Sequence, residues 1–543
     1  MGTVLLRAGK VINGRGETGF IGHILIEGDR IKALLREGEG IPSADSVIDA
    51  SGHAIAPGFI DMHSHMDWSL PLEDHPEFLK CLLEQGITTV VAGNCGFSPA
   101  PVTTETFGLL ERELMLPIDK PLDYSWRSME GFLDRVAERK PIINLAELVG
   151  HGTVRIASAR TRRGAMKPDE LKNCLDGVRQ SLDEGACGLS FGLGYDPGMY
   201  SPEDEIEAFG TVAVEAKKPV TVHLKTYCRA SGVYSPLYTK PHNLRAIKEM
   251  IDIARRTGIS LQVSHLMLMF RSTWPLVDEC LEMIESARRE GIDIMIDAIP
   301  DSTLNGSIAS LLPPWFIAKL PEGYKSWRAR TRVRMENPIG FRRMGYSYQY
   351  IQVMDAAVEG WDDLSGLTIP EIANRWKTSP SDVVLKLSEY SKGHAAILCN
   401  NVAGEPGNEK PLEAILSHDL CLFGTDILIR SKGYPNPAAF GAFPKILGYY
   451  ARERKLFNIE NAVKRMTSAS ADRFGLKDRG LLEPGKAADV VIFDPQTISD
   501  TIPGGKKPAS RPKGIYHVFL NGQHVVRDGS YVRGARAGRV LRV

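Results

Sequence analysis

Eight apolar segments of strand length recur through the interior of the chain. They read HAIAPGFIDMH, GITTVVAGNC, PIINLAELVGH, ACGLSFG, PVTVH, SLQVSH, IDIMIDA and CLFGTD. Amphipathic stretches with a helical period, such as PDELKNCLDGVRQSLDEG and LRAIKEMIDIARRTG, lie between most of them. Strands that alternate with helices are typical of a parallel sheet in the α/β class. Eight such units predict a closed (β/α)8 barrel of the TIM type.

The two ends of the chain have a different pattern. TVLLRAGKVI and HILIEGDRIKALL near the start, and ADVVIFDP and HVFLNGQHVVRDG near the end, are strand-like and are separated by turn residues. Asn521-Gly522 is a strong signal for a two-residue hairpin. We therefore expect a small β-sandwich domain built from residues 1–56 and 481–543, with a catalytic barrel over residues 57–480.

The stretch between the seventh and eighth strands is too long for an ordinary crossover. It covers about residues 303–390 and predicts an insertion subdomain near the mouth of the barrel. Its basic run, KSWRARTRVRMENPIGFRR, fits either a patch for an anionic ligand or the solvated face of a helix. Trp315, Phe316 and Trp327 suit an apolar ligand or packing of the insertion against the barrel.

Composition excludes several classes of partner. The 66 Lys and Arg residues balance 66 Asp and Glu residues, so nothing favours a nucleic-acid or membrane partner. No apolar run reaches ~18 residues, and the N-terminus lacks the apolar core of a signal peptide. Eight scattered cysteines suit a reducing compartment. We expect a cytoplasmic protein with a small-molecule substrate; a homo-oligomer stays open.

Side chains that can bind a metal or move protons follow five of the eight strands. They are His63, His65, Cys95, His223, His265 and Asp426. Taken singly, Cys95 fits a buried thiol, each histidine fits a core position, and Asp426 fits a helix cap. Active sites of such barrels lie at the carboxyl ends of the strands, where these positions converge. Their recurrence at that end predicts a metal site.

The residue types indicate the metal and the chemistry. Zinc accepts imidazole nitrogen and thiolate, and a catalytic zinc keeps a position open for water, whose pKa it lowers from ~15.7 toward ~7. A carboxylate beside that water can take its proton and pass it to a leaving nitrogen. Asp426 is the candidate for this general acid–base role.

Other residues near the strand ends have two interpretations each. His151 orients a substrate or bonds to backbone, and Lys225 lies on the pocket wall or points to solvent. Asp297 is expected to hold strand ends together. Ser190 is discounted as a nucleophile because GLSFG lacks the G-x-S-x-G pattern.

Several motifs together resemble the amidohydrolase superfamily. PGFIDMHSH and RGLLEPGKAADVVIFDP carry that resemblance, and GNCGFSPAP, VGHGTVR, GLSFGLGYDPGMYS and GAFPKILG resemble its D-aminoacylase, or N-acyl-D-amino-acid deacylase, branch. The resemblance spans essentially the whole chain. It implies that Cys95, His223 and His265 hold a tightly bound zinc. It also implies that His63 and His65 with Cys95 frame a weaker second site, and that Asp426 is the acid and base.

The chain departs from that branch around the expected substrate carboxylate. Met267 stands where a basic residue is usual, Ile299 and Asp301 replace a tyrosine-rich turn, and Asn436 and Ala438 replace a basic pair. The candidate substrate-binding residues are His151, Tyr195, Lys225, Met267 and Asn436. A buried carboxylate needs charge-assisted hydrogen bonds, so the absence of the branch's basic residues from these positions predicts altered substrate recognition. A free carboxylate would need another cation, for which Lys225, Arg229, Arg430 and Lys432 are the candidates.

We therefore expect a zinc-dependent hydrolase of a linear amide C–N bond, similar to an N-acyl-D-amino-acid deacylase. Two alternatives stay open. The same site could hydrolyse a cyclic amide, a carbamate or a lactone, since fold and metal do not fix the substrate. The chain could also be a catalytically silent scaffold or interaction protein, although such a relative is expected to lack metal ligands that this sequence retains.

Overall fold

A computed structural model describes residues 2–113, 120, 122–159, 163–235, 237–500 and 511–543. Its strands are β1 (Thr3–Val11), β2 (Phe20–Glu27), β3 (Arg30–Arg36), β4 (Ser46–Asp49), β5 (Ala54–Pro57), β6 (Phe59–Asp61), β7 (Ile87–Ala92), β8 (Asn144–Gly150), β9 (Gly188–Gly192), β10 (Val220–His223), β11 (Leu261–Val263), β12 (Ile294–Ala298), β13 (Leu304–Ser307), β14 (Ile351–Asp355), β15 (Ala396–Cys399), β16 (Cys421–Phe423), β17 (Val490–Phe493), β18 (Ile515–Leu520), β19 (Gln523–Arg527) and β20 (Ser530–Tyr531).

The α-helices are α1 (His75–Leu83), α2 (Phe107–Glu113), α3 (Met129–Glu138), α4 (His151–Ser158), α5 (Pro168–Asp183), α6 (Glu203–Glu215), α7 (His242–Thr257), α8 (Val277–Arg289), α9 (Pro314–Ile317), α10 (Glu322–Lys325), α11 (Trp327–Met344), α12 (Ile369–Trp376), α13 (Pro380–Tyr390), α14 (Lys410–Ser417), α15 (Ala438–Lys445), α16 (Ile459–Met466) and α17 (Ser468–Arg473). A π-helix covers Ile446–Glu453. Short 3-10 helices cover Met66–Trp68, Gly198–Tyr200, Trp274–Leu276, Ile308–Leu311, Tyr348–Tyr350 and Asp362–Leu364. Among the described residues, no helix is both long and apolar enough to cross a membrane.

Eight parallel strands form the predicted barrel. They pair in the order β6-β7-β8-β9-β10-β11-β12-β16, one strand from each apolar segment of the sequence. Beyond the last strand, the Asp426 amide donates to the His63 carbonyl at 2.8 Å, and the His65 amide donates to the Ile427 carbonyl at 3.1 Å. These bonds bring the eighth strand back to the first. The prediction of a (β/α)8 barrel is confirmed.

The helices form because their apolar residues fall on one face. In α7, Leu244, Ile247 and Ile251 are buried at helical spacing, and charged residues occupy the opposite face. The helix ends at Gly258, whose φ of 76° suits a residue without a Cβ. Covered by such helices outside and by side chains inside, strand β7 is buried at all six positions.

Both chain ends meet in one small β domain, as predicted. Strand β17 pairs antiparallel with β5, with Val490 opposite Pro57, and the sheet runs β20-β19-β18-β17-β5-β1-β2-β3 with β4 beside β1. A separate cluster of apolar side chains from both chain ends, among them Leu6, Ile24, Val490 and Phe519, packs within this domain. The last residues of the chain return to the barrel, where the Leu541 amide donates to the Leu145 carbonyl at 2.7 Å.

The insertion forms a subdomain between β12 and β16. It contains the antiparallel sheet β13-β15-β14 and helices α9 to α13. The basic run forms α11, where Arg330 pairs with Glu389 and Arg334 pairs with Asp382, each at 2.7 Å. Phe316 is buried, whereas Trp327 is 70% exposed. These ion pairs anchor one side of the basic helix to α13.

Candidate metal centre

The six residues predicted at the strand ends lie together. The Cys95 sulfur lies 3.4 Å from His63 Nε2, 3.3 Å from His265 Nε2 and 3.7 Å from His223 Nδ1. Asp426 Oδ1 lies 3.1 Å from His65 Nε2 and 3.4 Å from His63 Nε2. Residues more than 360 positions apart in sequence therefore share one site, because parallel barrel strands end at the same rim.

The backbone around Cys95 explains its unusual sequence neighbours. Cys95 has a φ of 57°, a left-handed conformation that non-glycine residues seldom adopt. A Cβ on Gly93 would lie 2.1 Å from the Leu148 carbonyl oxygen, and one on Gly96 would lie 2.4 Å from the Gly192 nitrogen. Only glycine permits these close approaches, which bring the loop with its sulfur to the centre of the barrel rim.

Two other site residues share this backbone geometry. His265 has a φ of 31° and Asp426 a φ of 50°. Non-glycine residues in this region carry a cost of roughly 1–3 kcal/mol and are concentrated at functional sites. The Asp426 amide donates to the His63 carbonyl, and the carbonyl of the next residue, Ile427, accepts the His65 amide. These two hydrogen bonds hold the backbone of Asp426 in place.

The carboxylate of Asp297, in strand β12, contacts two of the candidate ligands. Asp297 Oδ1 accepts the His265 amide at 2.7 Å and lies 3.2 Å from His63 Nδ1. Gln262 donates to the other oxygen of Asp297 at 3.1 Å. The predicted structural role of Asp297 thus takes a specific form, in which one carboxylate contacts two candidate ligands.

Charge at the site favours ionised ligands. Burial by itself raises the pKa of the Cys95 thiol, but the positive charges of His265 and His63 outweigh burial and hold that pKa well below its usual value. Burial likewise raises the pKa of Asp426, and the charge of His265 with hydrogen bonds from His63 and His65 lowers it well below the usual value. Thiolate and carboxylate are the forms that bind a metal.

The donor set fits a metal in two overlapping groups. His63, His65, Cys95 and Asp426 form one group, and Cys95, His223 and His265 form the other; in each, the donor atoms lie within 4.8 Å of one another. His223 Nδ1 and His265 Nε2 face each other at 3.0 Å and also face the same sulfur. Nitrogen donors that converge on a sulfur are typical of a zinc-type site.

A large cavity of about 1750 Å³ opens in front of this cluster. Candidate ligands that line it are His65, Cys95, His223, His265 and Asp426. Of the predicted substrate-binding residues, Tyr195 and Met267 also line it. Tyr195 donates its hydroxyl to the Cys95 carbonyl at 2.6 Å, and its ring lies 4.9 Å from that of His223. Candidate metal and substrate positions therefore share one cavity.

Three other predicted substrate-binding residues lie elsewhere. His151 is fully buried, and its Nε2 lies 2.9 Å from Glu205 Oε1. Lys225 Nζ lies 3.3 Å from Glu249 Oε2. Asn436 is buried, and its side-chain amide donates to Asn305 Oδ1 at 2.7 Å; Asn305 itself lines the cavity. None of the three is among the cavity-lining residues.

The cations suggested for a free carboxylate are also engaged elsewhere. Arg430 pairs with Asp355 at 2.7 Å, with both side chains 5% exposed, and Lys432 lies 3.6 Å from the same carboxylate. Arg229 donates to the Ser272 carbonyl at 3.4 Å. Ser190, discounted as a nucleophile, donates its hydroxyl to the carbonyl of Gly93, next to the cysteine loop.

Sequence reasoning missed two groups at the site. Tyr227 accepts the Leu224 amide and donates to the Ser264 carbonyl at 2.8 Å, with its ring 5.1 Å from that of His223. Its position four residues after a candidate ligand was the available signal. Behind the site, burial raises the pKa of Asp67 to about 7, and burial with the adjacent Asp67 raises the pKa of Glu147 well above its usual value.

A parallel barrel with a metal-binding cluster at the carboxyl ends of its strands is the arrangement of metal-dependent hydrolases. A model of the amidohydrolase family matches residues 46–312 and 396–526, leaving most of the insertion outside. The chain belongs to the amidohydrolase family, in its D-aminoacylase branch, and is a hydrolase of C–N bonds in amides other than peptides.

Relatives of this branch align over the full chain. The N-acyl-D-glutamate deacylase of Alcaligenes xylosoxydans xylosoxydans is 30% identical, with 99% of this chain and 96% of the relative covered. The D-aminoacylase of the same organism is 30% identical, with 99% and 97% covered. The crystal structure of N-acyl-D-glutamate deacylase from Bordetella bronchiseptica, complexed with zinc and a phosphonate inhibitor, has a TM-score of 0.79 at 29% identity and covers 99% of both chains.

Proposed function

We propose that this protein is a zinc-dependent hydrolase of linear N-acyl amides of the D-amino-acid type. The observation that carries the proposal is the convergence of Cys95, four histidines and Asp426 in one cluster, all of which except His63 line a large cavity. Relatives with the names N-acyl-D-glutamate deacylase and D-aminoacylase support the reaction class. The zinc complex of the related deacylase supports the choice of metal.

Cys95, His223 and His265 would hold the tight zinc, and His63 and His65 with Cys95 and Asp426 would frame a weaker second site. When bound, zinc acts as a Lewis acid that polarises the amide carbonyl and lowers the pKa of water, so that hydroxide is available at neutral pH. The thiolate balances part of the metal's charge. Asp297, which contacts His63 and the His265 amide, keeps these two ligands oriented.

Asp426 would move the protons of the reaction. An aspartate side chain is ionised at neutral pH, so it can accept a proton from the attacking water. The same carboxyl then donates that proton to the amide nitrogen as the C–N bond breaks. Its carboxylate lines the cavity and lies 3.1 Å from His65 Nε2 and 3.4 Å from His63 Nε2.

Recognition of the amine side is proposed to differ from that of the branch. Met267 and Met269 line the wall near His265, where the branch carries a basic residue in place of Met267. Among the residues that the structure describes, four cations line the cavity away from Met267 in the sequence: Arg163 pairs with Asp196 at 3.0 Å, Lys120 pairs with Asp74, and Lys325 and Lys392 belong to the insertion. An apolar wall gives a free carboxylate few partners, which costs binding energy. A substrate with a neutral group at that position would bind at least as well.

The test compares N-acetyl-D-phenylalanine with its primary amide, using zinc-loaded protein and the L-enantiomers as controls. We expect hydrolysis of the acetyl–nitrogen bond of the D compounds, with kcat/KM for the capped amide equal to or above that of the free acid. A strong preference for the free acid would show that carboxylate recognition is retained. Absence of hydrolysis with all four compounds would contradict the proposed reaction.

A further inference from the structure

The cavity in front of the candidate metal centre is larger than the proposed reaction requires. Pockets for small molecules generally measure roughly 300–1,000 Å³, whereas this cavity measures about 1750 Å³. An N-acetyl amino acid would fill only a small part of it. The remaining volume must be accounted for either by solvent or by a larger part of the substrate.

The extra volume extends beneath the insertion subdomain. Its wall there is formed by apolar side chains of β13, α9 and the loops around them: Leu304, Leu312, Pro314, Ile317, Leu320 and Pro321. Met267 and Met269 line the cavity on the barrel side, at the position proposed above for the amine side. We call the part of the cavity beneath the insertion, lined by the six residues from Leu304 to Pro321, the apolar arm. Exposed Lys325 and Lys392 of the insertion also line the cavity.

The chemistry of the apolar arm selects one side of the substrate. The amine side of an N-acyl amino acid carries a carboxylate or carboxamide, for which the six apolar side chains offer no hydrogen-bond partner. The polar side chains of Asn305, Ser307 and Ser310 in the same region are neutral, so they supply no cation to pair with a carboxylate. An alkyl acyl chain has no polar atoms, and its length is not limited as that of an amino-acid side chain is.

We propose that the substrates are N-acyl amides with a long alkyl acyl chain, and that the apolar arm under the insertion binds that chain. This inference rests on the proposed function and adds the class of acyl group. The scissile carbonyl lies at the metal cluster, the amine side faces Tyr195 and Met267, and the alkyl chain runs along Leu304, Leu312 and Ile317 toward solvent.

The first experiment measures kcat/KM for N-acetyl, N-butanoyl, N-octanoyl and N-dodecanoyl derivatives of D-phenylalanine. Each is made as the free acid and as the primary amide, so that chain-length dependence is read on whichever head group is hydrolysed. Each buried methylene is expected to raise kcat/KM by about two- to fourfold. From acetyl to octanoyl the expected increase is therefore on the order of 100-fold or more.

The second experiment narrows the apolar arm. Gly306 shares a strand face with Leu304 because residues two apart in a strand point the same way. A Cβ at Gly306 would have its nearest neighbour, Ser310 Oγ, at 3.9 Å, so the Cβ itself meets no clash and the rest of a larger side chain would take up space in the cavity. We expect Gly306→Phe to lower the ratio of kcat/KM for the octanoyl over the acetyl compound at least tenfold.

Gly340→Phe is the matched control. Gly340 lies in α11 of the same subdomain, and a Cβ there would meet no atom within 4 Å. This variant adds the same side chain away from the cavity and should keep the wild-type ratio. Equal kcat/KM for acetyl and octanoyl compounds would overturn the inference and leave the proposed function standing. An equal loss on both compounds in Gly306→Phe would also overturn it. Failure to hydrolyse the whole series would overturn the proposed function and the inference together.

Discussion

Cys95 combines a left-handed backbone, two neighbouring glycines that tolerate no Cβ, and a sulfur within 3.7 Å of three imidazole nitrogens. A buried structural thiol needs none of these features. At the scale of single residues, the arrangement supports the proposed role of Cys95 as a thiolate ligand of a metal. His63, His65, His223, His265 and Asp426 complete the donor set.

Replacement of Cys95 by alanine tests this role. Cys95→Ala removes a donor shared by both candidate ligand groups, so we expect loss of the tightly bound zinc, measured as metal per chain after dialysis. Cys187→Ala is the control, since that buried cysteine lies outside the cluster. Unchanged zinc content in Cys95→Ala would mean that the thiol is a core residue.

Asp426→Asn separates metal binding from proton transfer. The amide keeps the shape of the side chain but cannot accept a proton, so turnover should fall by 10²–10⁴-fold, the usual contribution of a general acid–base residue. Zinc content should remain, because Cys95, His223 and His265 are intact. Near wild-type turnover by the loaded variant would exclude the assigned role.

Asp297→Asn tests whether the Asp297 carboxylate orients two of the candidate ligands. Asp297 contacts His63 Nδ1 and accepts the His265 amide, and loss of such outer partners commonly weakens metal affinity about 10–100-fold. We expect that decrease in a competition titration with a zinc chelator, with an unchanged thermal unfolding midpoint as evidence of a folded variant. Unaltered affinity would limit Asp297 to a structural role.

At the scale of elements, the start of α1 contains a histidine that the fold requires in its neutral form. His75 Nδ1 lies 2.6 Å from the Leu72 carbonyl, and the Ile142 amide donates to Nε2 at 3.3 Å. One ring nitrogen therefore donates and the other accepts, which is the neutral tautomer. Burial lowers the pKa of His75 to about 4.

This geometry predicts loss of stability in acid. The unfolded chain has a histidine pKa of ~6.5, so the contribution of neutral His75 is complete above that pH and is lost as pH falls toward 4. The difference corresponds to roughly 3 kcal/mol. Urea unfolding between pH 7 and 4.5 should show a shallower pH dependence for His75→Gln than for the wild type. Parallel profiles would contradict the prediction.

At the scale of the whole molecule, a buried polar network joins the β domain to the barrel. Asp489 pairs with Arg479, accepts from Asn144 at the start of β8 at 3.0 Å, and accepts the Asn521 amide at 2.6 Å. All four residues are at most 7% exposed. The β domain is therefore fixed to the barrel by specific contacts as well as by apolar packing.

Removal of Asp489 should destabilise both parts together. Asp489→Ala leaves the buried Arg479 with only the half-exposed Asp478 carboxylate, 3.6 Å away, as a charged partner, and breaking a buried ion pair in this way costs up to roughly 3–5 kcal/mol. Glu27→Ala, which removes an exposed pair with Lys32, should cost less than about 1 kcal/mol. Thermal unfolding midpoints compare the two variants. Equal small shifts would show that the network contributes little to stability.

The sequence was sufficient to predict the barrel, the β domain and the convergence of the candidate ligands at one rim. Eight apolar runs with helical stretches between them define the strands, and each candidate ligand lies at the end of one of them or within a few residues after it. Periodicity is a local property, so it is visible without the fold. The strand-end rule then brings distant residues together, because all parallel strands end at one rim.

The tertiary structure alone decided which other side chains reach the cavity. Met267 lies two residues after His265 and lines the cavity, whereas Lys225 lies two residues after His223 and turns to Glu249. Identical spacing gives different outcomes because both residues lie beyond the strand, where side-chain alternation no longer applies. Long-range contacts set the direction of each loop there. The apolar arm was hidden for the same reason, since its wall forms only when the insertion packs over the barrel.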